Sequence, residues 1–332
     1  MIYWPDHIDK EPLIVKFYLT NFIVLCLMIS STSKSHLALL SVNIIYGANY
    51  LIAKGLMPNK IEASALVLVR ITGACLLFLF LKMFVNEKIE RKDMPRLAVC
   101  GLLGVAINQI FSMNGLSLTS PVDASIIVTG MPIFTIIISF FILKEPLTLQ
   151  RIIGICIGGL GATLLIYFGN AELGTGSILG NLFIFINSLA FSFYLVIVKP
   201  LMLKYKPITV IVWTFFFGFI CAFPFCLGKL LTTNFDAFTT SNWFSLLYVV
   251  VGPTFLAYLL NMFALQYLKP TVTSSYVYVQ PAVAMILVAI LSYYVLNSQY
   301  KGDITLIKLL CCVLIFIGVY LISHKPLNWI KK

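Results

Sequence analysis

Charged side chains are scarce in this sequence. Asp, Glu, Lys and Arg make up 11 % of its 332 residues, whereas residues of the set AVILMFWYC make up 60 %. Soluble domains carry about 25 % charged residues, so the 23 basic and 12 acidic side chains cannot cover a globule of this size with a solvated surface. The shortage excludes a soluble enzyme and a disordered protein, and it indicates that lipid is the solvent for most of the chain.

Motifs of enzymes and metal sites are missing as well. The three histidines, His7, His36 and His324, lie towards the ends of the chain, so no His-Glu-x-x-His zinc site can form in its apolar centre. There is no Gly-x-Ser-x-Gly turn and no phosphate-binding Gly-x-x-x-x-Gly-Lys loop, and the eight cysteines include no Cys-x-x-Cys pair. We therefore expect neither catalytic residues nor a metal or other cofactor.

Ten apolar segments are present instead, each close to the length of about 20 residues that a helix needs to cross a bilayer. They are expected to be helical, because an open strand edge cannot satisfy its hydrogen bonds in hydrocarbon. The connections are short, so the sequence predicts an all-α integral membrane protein of ten transmembrane helices. The segments cover about 37–54, 63–84, 94–114, 121–143, 149–168, 177–198, 207–229, 243–267, 271–296 and 304–323.

Positive charges are distributed unevenly between the two sides of these segments. If Lys34 is cytoplasmic, the connections on its side hold 15 Lys and Arg residues, and those on the other side hold 5. Cytoplasmic loops carry the excess of positive charge, so both ends of the core are predicted to face the cytoplasm from the inner (plasma) membrane. Topology and contact with the lipid bilayer explain the net charge of +11, and no nucleic-acid partner is expected.

Residues 1–33 precede this core as an N-terminal extension. Within it, 13–29 form an apolar stretch that Lys16 and Asn21 interrupt, and no Ala-x-Ala cleavage site follows. The stretch is an extra helix, an uncleaved signal-like anchor, or translated upstream sequence with Met28 as the working start. We favour a dispensable extension.

An internal repeat relates the two halves of the core. Residues 120–132 align with 269–281 at an offset of 149, and 46–54 align with 191–199 at an offset of 145. The matches divide the core into two parts of five segments each. Because five is odd, the second part must enter the membrane from the opposite side, which is an inverted-topology repeat.

Inverted repeats are typical of secondary carriers. Two similar halves, here 34–170 and 171–332, can exchange conformations around a substrate site near the middle of the membrane. The alternative is a duplication that only enlarges the bundle, as in a passive channel or a membrane-embedded enzyme.

The repeat also carries a family resemblance. The segments 43–54 (NIIYGANYLIAK), 66–74, 120–166, 189–201 (LAFSFYLVIVKPL) and 273–296 resemble EamA-type carriers of the drug/metabolite transporter superfamily. The resemblance covers about 34–325 and is most specific where Pro132 is followed by Lys144-Glu145-Pro146 and a glycine-rich helix. The second half departs from the family pattern at Tyr293-Tyr294, which stand where the first half has Lys144-Glu145. The resemblance implies ten helices, cytoplasmic termini and transport of small metabolites, and it names no substrate.

Arg70 is the one ionisable side chain expected well inside a helix. Burying it costs about 2.5–3.5 kcal/mol on insertion scales, so it should face water or the interior of the bundle. Its repeat counterpart is Phe215, so the charge breaks the symmetry of the halves. Two roles stay open: a counter-ion for a substrate carboxylate or phosphate, or a structural arginine bonded to helix ends.

Acidic side chains are expected only at the edges of the segments. Coupling to protons or sodium would therefore have to use Glu62, Asp123 or backbone carbonyls, and facilitated exchange or uniport is an open alternative.

Neutral polar and aromatic residues recur on paired segments of the two halves. Each can serve as interhelical glue, worth about 0.6–2 kcal/mol. As a set they predict a polar substrate cavity with aromatic walls. The candidates are Asn43, Tyr46, Asn49, Arg70, Asn108, Tyr194, Trp213, Asn261, Tyr278 and Gln280. Two prolines expected in mid-helix, Pro132 and Pro281, are the predicted hinges, because proline removes a helical hydrogen bond and kinks the helix.

The sequence thus predicts a secondary transporter that exports or exchanges small polar or amphipathic metabolites by alternating access, as a monomer or a homodimer. The alternative is a passive channel or membrane-embedded enzyme with the same bundle.

Overall fold

The computed structural model describes residues 30–57, 59–119, 124, 127–146, 148–167, 177–280, 282–283 and 306–323. Within these ranges the regular structure is helical throughout, without strands. The helices are α1 (Ser31–Leu56), α2 (Ala63–Lys82), α3 (Arg91–Leu118), α4 (Met131–Leu143), α5 (Leu149–Tyr167), α6 (Ile178–Lys204), α7 (Pro207–Leu231), α8 (Thr240–Tyr267), α9 (Pro270–Ser275) and α10 (Leu306–Ser323).

Six of these helices are long and apolar enough to cross a membrane: α1, α2, α3, α6, α7 and α8. Three shorter apolar stretches accompany them, Met131–Leu143, Leu149–Gly161 and Leu310–Ser323. The all-helical expectation is confirmed, whereas the count of ten crossings stays a prediction. The extension 1–29 and the Tyr293-Tyr294 departure lie outside the described residues.

The first helix begins earlier than hydropathy predicts. The Ser30 side chain accepts a hydrogen bond from the Ser33 backbone N–H at 3.2 Å, which is the geometry of an N-cap. Polar residues from Ser31 to His36 therefore form the first turns of α1. A hydropathy profile does not detect this helix end, because its residues are polar. His36 is held in turn by Tyr276, whose hydroxyl lies 2.7 Å from its Nδ1 atom.

Two π-helical turns interrupt the bundle at equivalent places. One is Leu102–Ile107 within α3 and the other is Val251–Leu256 within α8, and they are 149 residues apart, the offset of the sequence repeat. In the second turn the Thr254 hydroxyl donates to the carbonyl of Val249 at 2.7 Å. Single π turns inside α-helices are frequent at functional sites. Here Asn108 follows the first turn directly, and Tyr258 lies two residues after the second.

Glycines allow the closest helix contacts. A Cβ atom on Gly101 of α3 would lie 2.7 Å from the backbone nitrogen of Gly218 in α7. A Cβ atom on Gly318 of α10 would lie 2.5 Å from the Cα atom of Gly158 in α5. Small residues let helix backbones approach in this way in membranes. The glycine-rich α5 thus contacts α10 through Gly154 and Gly158.

Aromatic rings fill the space between α2, α7 and α8. Phe78 and Phe215 are fully buried, with ring centroids 4.9 Å apart, and Phe215 also packs edge-on against Tyr258 at 5.0 Å. Other large apolar side chains, among them Phe141 and Phe225, are exposed on the outside of the bundle. An apolar exterior around a packed core is what a lipid solvent requires.

Candidate functional site

A cavity of about 100 Å³ lies between the helices of both halves. Side chains from α1, α2, α3, α6, α8 and the region of α9 line it, together with Val128 and Met131 at the start of α4. Seven of the ten predicted substrate residues are among the lining residues. They are Asn43, Tyr46, Asn49, Arg70, Asn108, Asn261 and Gln280.

Arg70 is the basic residue of this cavity, and it is 4 % exposed. Its Nε atom donates to the Thr254 hydroxyl at 2.9 Å, and its Nη1 atom lies 3.0 Å from the Met113 sulfur. Both partners are neutral, and the thioether is a weak acceptor. Among the described residues no carboxylate forms an ion pair with Arg70.

A first polar network joins α1 to the chain after α9. The Gln280 side chain donates from Nε2 to Oδ1 of Asn43 at 2.8 Å and accepts from the Tyr50 hydroxyl at 3.3 Å. Asn43 itself donates to the carbonyl of Leu39 at 2.7 Å. These amides satisfy one another, so they hold helices together at the cavity wall.

A second polar network joins α3, α6 and α8. Asn108 donates to Oδ1 of Asn187 at 2.6 Å. The Tyr258 hydroxyl lies 2.8 Å from the Gly104 carbonyl and 2.9 Å from Oδ1 of Asn108, and its single proton serves both acceptors. The Gly104 carbonyl belongs to the π turn of α3, so this network braces the turn.

Two buried amides at the cavity lack a hydrogen bond of ordinary geometry. Oδ1 of Asn49 and both carboxamide atoms of Gln109 form none among the described residues, although the Gln109 side chain lies beside the Tyr258 hydroxyl. Both side chains line the cavity and are almost fully buried. Buried polar atoms in native proteins are nearly always paired, so these three atoms, with Arg70, are candidates for contact with a ligand.

Three predicted wall residues do not line the cavity. The Tyr194 ring packs over Gly104 and its hydroxyl lies 3.2 Å from the sulfur of Met262. Trp213 packs with Phe216 and Phe217 on α7. The type of a residue does not reveal which way its side chain faces. A shift of one position along a helix turns the side chain by about 100°, so the sequence alone does not tell whether an aromatic ring faces the cavity or a neighbouring helix.

Tyr278 points away from the cavity because the chain tightens at this place. Tyr276–Tyr278 form a 3-10 turn, in which residues three apart share a face. Ser274, Val277 and Gln280 therefore line the cavity, whereas the Tyr278 hydroxyl reaches the Ile155 carbonyl of α5 at 3.3 Å.

The hinge prediction for Pro132 needs a correction of its premise. Pro132 is the second residue of α4, after a turn at Thr129–Gly130, and is not in mid-helix. Proline is tolerated in a first helical turn because its missing N–H has no intrahelical acceptor there, so no ladder hydrogen bond is lost. Pro281 lies outside the described residues. The hinge role stays a prediction for both residues.

Two lysines cap the ends of helices, one in each half. Lys54 of α1 donates to the carbonyls that end α3, at 2.7 Å to Leu116, 3.4 Å to Ser117 and 3.3 Å to Thr119. The last carbonyls of a helix have no intrahelical donors and carry partial negative charge, so an ammonium group satisfies them well. We call this contact and its counterpart in the second half the lysine caps.

The counterpart is made by Lys199 of α6. Its Nζ atom donates to the carbonyls of Leu265, Gln266 and Leu268 at 2.6, 3.3 and 2.9 Å, at the end of α8. Lys199 follows Lys54 by 145 residues, and its acceptors follow those of Lys54 by 149, the two offsets of the sequence repeat. From the sequence alone, these two lysines indicate only the topology, although they are the last residues of the matched segments 46–54 and 191–199.

The two caps lie at opposite ends of the bundle. The backbone N–H of Ser177, just before α6, donates to the Leu118 carbonyl at 3.2 Å, so α6 begins at the end that holds Lys54. Lys199 lies near the other end of the same helix, and the rise of 1.5 Å per residue separates it from that start by about 30 Å. The cavity lies between the two caps.

Comparison with known proteins agrees with this architecture. The model of the EamA-like transporter family matches residues 33–167 and 178–324. An uncharacterized transporter of Archaeoglobus fulgidus is 24 % identical over 240 residues, which cover 72 % of this chain and 81 % of that protein. The uncharacterized transporter YdfC of Bacillus subtilis is 29 % identical over 215 residues, 65 % of this chain and 69 % of its own.

A solved crystal structure shows the same fold. It superposes with a TM-score of 0.67 at 17 % sequence identity and covers 88 % of this chain and 96 % of its own. The family model matches most of the chain, once in each half, and the relatives are named as transporters. The chain is a multi-pass membrane protein and a member of the EamA-like transporter family.

Proposed function

We propose that this protein is a secondary carrier that exports or exchanges small polar or amphipathic metabolites by alternating access. The observation that carries the proposal is the pair of lysine caps, which close equivalent helix ends on opposite sides of one central cavity. A carrier must close its site on either side in turn, and related halves can provide equivalent closures.

In the proposed mechanism, one lysine cap opens while the other stays closed. Release of Lys54 would separate α1 from the end of α3, and release of Lys199 would separate α6 from the end of α8. With both caps closed, as here, the cavity is small, below the range of about 300–1,000 Å³ that is typical of drug-sized ligands. We therefore assign this conformation, in which both caps are engaged, to a resting form of the cycle.

The proposal includes the topology predicted from the charges. The ten helices form two inverted repeats, 34–170 and 171–332, in the plasma membrane, and both ends of the core face the cytoplasm. In that orientation Lys199 closes the cytoplasmic side and Lys54 the opposite side. The acidic side chains that the structure describes lie outside the helix interiors: Glu62, Glu87, Glu90, Asp93, Glu145 and Asp236. Exchange or uniport without a membrane-embedded carboxylate fits this distribution.

Flux measurements with purified protein in liposomes test the proposal. Vesicles are loaded with a mixture of amino acids, organic acids, amines and nucleosides, and the uptake of each radiolabelled compound is followed. A carrier gives saturable uptake of at least one compound and faster uptake when the same compound is present inside. Linear flux without stimulation from the opposite side would favour the alternative, a passive channel.

A further inference from the structure

The charge of Arg70 meets no opposite charge among the described residues. Those that line the cavity include no Asp or Glu, and the two hydrogen bonds of the guanidinium go to the neutral groups of Thr254 and Met113. Ionised side chains within a membrane almost always find an opposite charge, backbone carbonyls or water. An unpaired cation in a transport cavity is therefore a site for an anion that arrives from outside.

The position of the guanidinium is fixed on one edge. Thr254 accepts from Nε while its own proton goes to the Val249 carbonyl just before the π turn, so the hydroxyl is committed on both sides. Nη2 forms no hydrogen bond among the described residues, and Nη1 has only the sulfur of Met113. The two Nη groups form the planar donor pair that matches a carboxylate, and neither has an oxygen acceptor among the described residues.

Neutral groups line the same cavity as Arg70. The carboxamide of Gln109 and Oδ1 of Asn49 are buried there without a hydrogen bond of ordinary geometry, whereas Asn43, Asn108 and Gln280 are engaged in the two polar networks. The cavity therefore offers the cation of Arg70 together with these amide groups. It also offers apolar surface from Val128, Phe191 and Leu195.

We propose, on the basis of the carrier function above, that the transported substrate is a small organic acid whose carboxylate binds the Nη groups of Arg70 and whose apolar body packs against the cavity wall. Gln109 contacts the carboxylate or a polar substituent next to it. An amine would meet the charge of Arg70 with no acidic side chain among the lining residues to offset it. A neutral amide would leave that charge unpaired.

Matched compounds separate these cases. Three acids with different bodies, pyruvate, isovalerate and phenylacetate, are compared with their primary amides, and isovalerate also with isopentylamine and valine. Binding to the purified full-length protein is measured by thermal stabilisation in detergent, and transport by counterflow in liposomes. We expect at least one acid to bind about tenfold more tightly than its amide, and the amine to bind more weakly still.

Variants connect this preference to Arg70. Arg70→Met should abolish the preference for the acid over its amide, and Arg70→Lys should keep part of it, because an ammonium retains the charge but lacks the planar donor pair. Trp213→Phe, away from the cavity, should bind as the unmodified protein does. Gel-filtration profiles identify variants that fail to fold. If Arg70→Met fails to fold, the preference of the unmodified protein for the acid over its amide decides the proposal.

Several outcomes would overturn the assignment. They are equal or tighter binding of the amide or the amine, tighter binding of valine than of isovalerate, no binding of any acid, or an acid preference that survives in a folded Arg70→Met protein. Each of them leaves the carrier function intact as long as another compound in the loading mixture shows saturable counterflow. Loss of counterflow for every compound would instead contradict the carrier function itself.

Discussion

Lys54 and Lys199 make the same contact at opposite ends of the helix bundle. Each ammonium group reaches three carbonyls at the end of a neighbouring helix, and the three acceptors have the same spacing in both halves. A chance contact would not reproduce all three acceptor positions at one constant offset along the chain. The two lysines are therefore equivalent parts of one repeated unit, used once on each side.

Removing either lysine should open one side only. We expect Lys54→Met to expose the cavity at the end where α6 begins, and Lys199→Met to expose it at the other end, because hydrogen bonds to a charged group contribute about 1.5–3 kcal/mol. A membrane-impermeant maleimide is applied in oriented vesicles to Ser112→Cys in a protein whose native cysteines are replaced by alanine, and it reports access from each side. Labelling should become about tenfold faster from the side that lost its cap.

Exposed lysines serve as matched controls for this experiment. Lys60 lies near the Lys54 end and Lys206 near the Lys199 end, and both are exposed. Lys60→Met and Lys206→Met should leave labelling unchanged. If Lys54→Met behaves as Lys60→Met does, the cap has no role in closing the cavity.

Thr254 should act on substrate affinity through Arg70. Thr254→Val removes the acceptor that fixes Nε, so we expect KM for the transported acid to rise about tenfold with little change in maximal rate. Thr254→Ser keeps the hydroxyl and should restore affinity. Thr214→Val is the control, because Thr214 is buried and bonds to the Val210 carbonyl at 2.9 Å but does not line the cavity. An equal rise in KM for Thr214→Val would show a general effect on packing.

Substitutions of Gln109 and of Asn108 should have different effects on the thermal stability of the protein. Gln109→Leu removes two unpaired buried polar atoms, so we expect unchanged or higher thermal stability together with weaker substrate binding. Asn108→Leu removes the donor to Oδ1 of Asn187 and one of the two acceptors of the Tyr258 hydroxyl, so it should lower stability by about 1–3 kcal/mol. Thermal unfolding followed by tryptophan fluorescence measures both. Equal destabilisation would mean that Gln109 also belongs to a structural network.

Two glycine substitutions should have opposite signs. A Cβ atom on Gly318 would meet the backbone of Gly158, so Gly318→Ala should destabilise the α5–α10 contact by about 1–3 kcal/mol. A Cβ atom on Gly228 of α7 would meet nothing within 4 Å, so Gly228→Ala should stabilise the helix by about 0.5–1 kcal/mol. Melting temperatures that shift in the same direction would contradict the close packing of α5 and α10.

Periodicity and repeats predicted the residues that face the centre when the helix around them is regular. Asn43, Tyr46 and Asn49 line the cavity because α1 is continuous through them, and their contact with substrate stays a prediction. Tyr278 does not line it because a local 3-10 turn changes the face, and no hydropathy signal reports such a turn. The sequence around Pro132 predicts a mid-helix position because the turn before it contains no charge to mark a boundary.

The hydrogen-bond partners of the polar side chains could not be predicted from the sequence either. Asn108 and Gln109 are adjacent residues with the same amide chemistry. The Asn108 side chain forms hydrogen bonds to Asn187 and Tyr258, whereas the Gln109 side chain forms none of ordinary geometry. The difference depends on which helix is opposite each residue, and only the fold determines that. Arg70 was identified because its charge is costly in lipid, which is a property of the residue and its depth alone.

The acceptors of both lysine caps are main-chain atoms, and this has a consequence for how such a protein can diverge. The contact itself depends on only one side chain, that of the lysine, because every residue offers the same main-chain carbonyl. In a saturation-mutagenesis scan, the partly exposed acceptor residues Ser117 and Gln266 should therefore tolerate exchange, whereas Lys54 and Lys199 should not. The cavity residues can then diversify towards new substrates while both closures persist unchanged.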